Sequence, residues 1–106
     1  MNYLHLLADL FSGAFLCNSI PHLTAGLRGE RFPSPFASPP GKGKSSSTVN
    51  VLWGTANLVA GCLLWTAYPV ALGLNLATLV FFVGFALIGV PMAHHFEAVR
   101  DADEAN

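Results

Sequence analysis

Charge is what this chain has least of. Five Lys and Arg and six Asp and Glu stand among 106 residues, 10% in all, against roughly 25% in an ordinary soluble domain. The net charge of −1 supplies no basic field for nucleic acid, and no basic surface interleaved with aromatics is present. Cysteine is scarce too. Cys17 and Cys62 lack a CxxC partner, and helix rise places them at depths that differ by roughly 15 Å, too far for a disulfide; they are expected as inert thiols. No nucleophile stands beside a base and no second acid accompanies the one intramembrane carboxyl, so no enzyme is expected and no cofactor is implied.

Two apparent motifs fail on spacing. Gly43-Lys44-Ser45 imitates a phosphate-binding loop, but Ser38 occupies the first glycine position of GxxxxGK[ST], prolines fill the cradle and no strand precedes it. No nucleotide is expected. Of the four histidines, His22, His94 and His95 fall near one face, yet neighbours on a helix point about 100° apart, so His94 and His95 do not chelate one ion unaided. His5 alone offers no paired axial ligand for haem. No metal site is expected.

What the chain has is apolar length. AVILMFWYC make up 53% and the mean hydropathy is +0.52, which predicts an all-α integral membrane domain over residues 1–106 with three transmembrane helices. Residues 3–20 cover about 27 Å, just enough for the hydrocarbon core. The start, MNY, lacks the positive charge of a secretory leader and Asp9 interrupts the apolar part, so this segment is expected as an uncleaved span. Pro21 restricts the residue before it and predicts a helix end near Ile20.

The loop 21–48 follows, with Pro39-Pro40-Gly41 suited to a type II turn and Ser47 or Thr48 placed to cap the next helix. A second span is predicted over 49–67 and a third over 70–92, joined at Tyr68-Pro69 by a tight hairpin with Pro69 in the first helical turn. Pro91 predicts a kink. Beyond it, Met92, Phe96 and Val99 share one face of an amphipathic exit helix ending near Arg100, and residues 101–106 are expected to fray.

All five Lys and Arg lie on one side of these spans: Arg28, Arg31, Lys42 and Lys44 in the loop, Arg100 in the exit helix. The positive-inside rule then predicts a multi-pass protein of the plasma (inner) membrane, N-terminus outside, loop and C-terminus cytoplasmic. The loop carries +3 and the segment from Ala93 onward −3, so the two are expected to face each other. Arg28, Arg31, Phe32, Phe36, Lys42 and Lys44 are the candidate contacts for membrane lipids or a protein partner, the two phenylalanines dipping into the interface.

Depth defines the other candidate site. Asp9 lies about 9 Å below the outer edge and Asn75, six residues after Pro69, reaches about the same level. With His5 one turn above Asp9, these residues predict an outward-opening polar site or a set of interhelical hydrogen bonds. Small residues at helical spacing, Gly54, Asn57 and Gly61 on the second span and Ala77 and Gly84 on the third, predict close helix packing.

The run PHLTAGLRGERFPSPFASPPGKGKSSSTVNVLWGTANL resembles a family of small uncharacterised bacterial inner-membrane proteins with an FPSPFASPPG-type loop before an NVLWG-type second span. The resemblance covers about a third of the chain and implies membrane residence without any activity. Small multidrug transporters are similar in length and place an acid in the first span, but they have four spans and a Glu. The function expected is an accessory or assembly subunit of a membrane complex or homo-oligomer; the alternative is a small oligomeric transporter, or ion- or proton-coupled carrier, using Asp9.

Overall fold

Asn2 and Gly29 fix the ends of the first helix, α1 (Tyr3–Leu27). The Asn2 Oδ1 accepts the Leu4 N–H at 2.7 Å and the His5 N–H at 3.3 Å, satisfying donors that a helix start leaves free. At the other end Glu30 N–H donates to the Ala25 carbonyl and Gly29 N–H to the Gly26 carbonyl, with Gly29 at φ 74°. That is a Schellman cap, and it needs a residue without a Cβ. The computed structural model describes residues 2–105, and in it α1 runs straight through Pro21, so the helix end expected near Ile20 lies a full two turns later. A proline deletes a single backbone donor, here the one that would bond the Cys17 carbonyl, and membrane helices tolerate that loss where neighbouring helices hold the backbone.

The segment 28–46 then folds back as β1 (Phe32–Pro33) and β2 (Lys44–Ser45), an antiparallel pair with Phe32 opposite Ser45. Between them Lys42 N–H donates to the Pro39 carbonyl and Gly41 takes φ 74°, the bond and backbone sign of a type II turn. Helix α2 (Ser47–Ala67) is capped by Ser46, one residue ahead of Ser47, the nearer of the two expected caps, because Ser46 is the residue whose Oγ accepts the Val49 N–H.

The connection 68–75 is longer than the hairpin expected at Tyr68-Pro69. Helix α3 (Leu76–Ala105) begins at Leu76 rather than Val70. Asn75 is the reason: its Oδ1 accepts the Thr78 N–H at 2.9 Å and its Nδ2 donates to the Ala71 carbonyl, which is N-cap chemistry. Val70, left outside the helix, is 5% exposed and packs with Ala77 and Phe81, sealing the end of the bundle. At its other end α3 passes Pro91 and the expected stop at Arg100 and continues to Ala105, so 101–105 are helical. It extends about 20 Å beyond Met92.

All three helices are long and apolar enough to cross a membrane, and the molecule measures 50 × 24 × 20 Å. The middle position belongs to α1, which packs against both α2 and α3, whereas α2 and α3 make little contact with each other. Trp65 and Phe81, with ring centroids 5.0 Å apart, are one of the places where they meet. Sequential neighbours thus face the first helix and not one another. The small residues explain why: Gly54, Asn57 and Gly61 on α2 and Ala77 and Gly84 on α3 are buried, opposite Ala8, Ser12, Gly13 and Cys17, which are buried on α1.

Candidate functional site

Polar groups of α1 occupy three levels of the bundle. At the level nearest its N-terminus, Asp9 is 1% exposed and neither carboxyl oxygen has a hydrogen-bond partner among the described residues. His5, one turn above, brings Nε2 to 3.5 Å from the carboxyl and to 3.1 Å from the Pro69 carbonyl. Since a carbonyl only accepts, that nitrogen carries a proton. The His5 ring also meets Tyr68 edge-on at 5.6 Å, so His5 ties the 68–75 connection to the carboxyl beneath it. Asn75 takes no part: it is exposed and spent as the α3 cap. The expected trio is therefore a pair. The N-cap signal Asn75-Leu76-Ala77-Thr78 was legible, but matching depth with Asp9 drew Asn75 into the site instead.

At the middle level, polar side chains join α1 to α2. Ser12 Oγ donates to the Gly61 carbonyl at 2.9 Å, and Asn18 Nδ2 donates to Asn57 Oδ1 at 2.9 Å, Asn57 passing its own N–H to the Trp53 carbonyl at 2.8 Å. Each such bond within a membrane bundle contributes about 0.6–2 kcal/mol.

The third level is where the loop meets the helices, and Asn50 is its centre. This side chain is fully buried. Its Nδ2 donates to the Phe32 and Ser46 carbonyls, each at 3.0 Å, and to the Ser45 carbonyl at 3.3 Å. With the amide nitrogen facing carbonyls, Oδ1 must accept from His22 Nδ1 at 2.8 Å, which fixes the proton of His22 on Nδ1. Ser34 and Ser45 bond through their hydroxyls, and His95 Nε2 donates to the Gly41 carbonyl at 2.6 Å. Phe32 lies tilted against Phe96 with ring centroids 4.7 Å apart and meets His22 edge-on. It is thus half-buried against the cap and not dipping outward as expected, whereas Phe36, beside Trp53, is 64% exposed. The Asn50 and His22 pairing was missed because their separation of 28 residues gives no local signal.

The charged residues of the loop are largely committed. Arg28 holds Glu30 through both carboxyl oxygens and keeps that carboxyl below its usual titration range. Arg31 donates to the Lys44 carbonyl, Lys44 reaches Asp103 at 3.7 Å, and Lys42 is exposed. Loop and α3 extension therefore do meet, enclosing a 410 Å³ cleft with Phe32, Pro33, Phe96 and Val99 at its base and Arg31, Arg100 and Glu104 among its charged lining. Such exposed pairs contribute little, being screened by solvent. No set of three or more His, Cys, Asp or Glu side chains arranged to hold a metal occurs among the described residues, and Cys17 and Cys62 are both free. No known protein family, curated protein or solved structure matches this chain.

Proposed function

We propose that the chain is a non-catalytic subunit of a larger membrane assembly, seated in a bacterial inner membrane with its N-terminus outside and the 28–46 cap and α3 extension in the cytoplasm. The observation that carries this reading is the cap itself. A loop that only joined two spans has no need of a buried Asn50 clamp, a strand pair and an aromatic cluster, yet here they hold a mixed-charge cleft rigidly at one end of the bundle. Rigid, partly apolar surfaces with charged rims suit protein partners. Orientation follows from the basic residues at that end: a single cysteine at position 2, in a Cys17→Ala/Cys62→Ala background, is expected to react with an impermeant maleimide added outside, and protection there reverses the topology.

A second reading rests on Asp9, whose buried carboxyl accepts no hydrogen bond among the described residues and has only His5 beside it, the kind of group that marks a substrate or ion path. One preparation separates the two. Purified in mild detergent, the protein is expected to carry a stoichiometric partner that Arg31→Glu/Arg100→Glu releases. A lone homo-oligomer whose reconstituted solute or proton flux disappears in Asp9→Asn instead establishes the transporter.

A further inference from the structure

Asp9 has no basic residue to pair with inside the bundle. From Ser47 to Phe96, which covers all of α2 and the apolar part of α3, the sequence holds no Asp, Glu, Lys or Arg. On its own side of the loop the nearest Lys or Arg is Arg28, about 28 Å along the helix axis. The carboxyl is also enclosed. Ser12 and Gly13, one turn below, touch the Gly61 carbonyl of α2 and the Phe81 backbone of α3, and Asp9 itself is 1% exposed. An ionised carboxylate buried with neither a donor nor a cation is prohibitive, and a proton on the group removes the charge.

The geometry of His5 agrees. Its Nε2 stands between two acceptors, the Pro69 carbonyl at 3.1 Å and Asp9 Oδ2 at 3.5 Å, and the N–H goes to the carbonyl, leaving both carboxyl oxygens without a hydrogen bond among the described residues. A carboxylate would draw that N–H to itself, since charge-assisted bonds close to about 2.7–2.9 Å and are roughly twice as strong as neutral ones. An uncharged carboxyl leaves it on Pro69. His5 is also the way in: its side chain is 31% exposed, its Nδ1 bonds to none of the described residues, and Tyr68 holds the ring edge-on at 5.6 Å. The other titratable side chains near this level are Tyr3 and Cys62, both exposed, and the half-buried Tyr68; α3 contributes none before His94. No hydrogen bond joins any of them to the carboxyl.

We infer that Asp9 is a proton-binding site and that His5 is the relay that loads and unloads it from the end of the bundle where α1 begins. A proton taken from water at Nδ1 makes the ring an imidazolium. Its Nε2–H then passes to the Asp9 carboxylate, the N–H bond breaking as the O–H bond forms, and the ring is left neutral with its proton on Nδ1. Exchange with water returns the ring to its Nε2–H tautomer, the arrangement in the structure, and unloading runs the same steps in reverse. The inference takes up the carboxyl of the second reading above but requires no transport, and it holds for either orientation in the membrane.

Infrared spectroscopy of the full-length protein in lipid nanodiscs reads both parts. At neutral pH a carboxylic-acid C=O band is expected that ¹³C-labelled aspartate moves and Asp9→Asn removes, and a jump into D₂O shifts it down as O–H becomes O–D. His5→Gln keeps an N–H for the Pro69 carbonyl but takes up no proton. It is expected to retain the band and to slow its shift by about a hundredfold, the low end of what a positioned proton-transfer group contributes. No acid band, or one that labelled aspartate leaves in place, overturns the site; an unchanged rate in His5→Gln overturns the relay. If His5→Gln does not fold, the unsubstituted protein decides: its Asp9 band is expected to shift well before the amides of α1 between Ala8 and Cys17 exchange, and a band that shifts only with them overturns the relay. No gradient or partner enters these measurements, so their failure leaves the flux test of Asp9→Asn undecided, and absence of flux leaves the proton site standing.

Discussion

Replacing Asn50 with Ala is expected to cost about 3 kcal/mol or more and to release the whole 28–46 cap. One side chain at 0% exposure serves four partners: the His22 ring and the Phe32, Ser45 and Ser46 carbonyls. Ala leaves the His22 Nδ1–H without its acceptor and takes a donor from the Phe32 and Ser45 carbonyls, while the Ser46 carbonyl keeps the backbone N–H of residue 50; each buried orphan costs about 1–3 kcal/mol. Asn50→Asp does not rescue, because a carboxylate accepts only and puts an oxygen where Nδ2 faced three carbonyl oxygens. Hydrogen exchange checks the result: amides of 28–46 lose protection while those of α1 between Ala8 and Cys17 keep theirs. Ser46→Ala, which removes only an N-cap bond, is expected to cost about 1 kcal/mol and to leave the cap in place.

The second large effect is expected at the contact of α1 with α3. A Cβ at Gly84 would collide with the Leu10 carbonyl oxygen, and one at Gly13 with the Phe81 carbonyl oxygen. Both obstacles are helix backbone, which does not move aside as a side-chain tip does. Gly84→Ala is therefore expected to destabilise by about 1–3 kcal/mol, the usual cost of overpacking, and Gly84→Val by more. Gly89→Ala is the control, since its Cβ would meet the Cys17 sulfur at 3.1 Å and a thiol rotates; a loss below about 1 kcal/mol is expected. Reversible unfolding in sodium dodecyl sulfate, followed by circular dichroism, ranks the three, and equal losses at Gly84 and Gly89 remove the backbone contact as the cause.

The α1–α3 contact also shows how far sequence reasoning reached. Gly84 and Ala77 stood out as small residues at helical spacing, and both are buried at the bundle interior. Spacing, however, names a face without naming its partner. Connection length suggested α2 for α3, whereas α1 occupies the middle. Pro21 misled for a related reason, whereas α2 ends at Ala67 just ahead of Tyr68-Pro69 as expected and only the start of α3 moved. Proline restricts local backbone conformation but does not compel a helix to end where neighbouring helices satisfy the freed groups. Gly29 in its Schellman cap and Asn75 at its N-cap were the stronger boundary signals, and both belong to local chemistry that a sequence displays.

Composition and spacing alone determined that the chain forms three apolar helices, that basic residues collect at one end, and that Asp9 lies within a helix long and apolar enough to cross a membrane. Those properties depend on the transfer of side chains from water and on helix rise, which are summed residue by residue. Tertiary structure decided the rest. It placed α1 between the other two helices, turned Asn75 into a cap, left the Asp9 carboxyl without a hydrogen bond among the described residues and drew Asn50 to His22 across 28 residues. Each of these turns on which distant groups meet in a medium without water, where a single unsatisfied amide outweighs local preference.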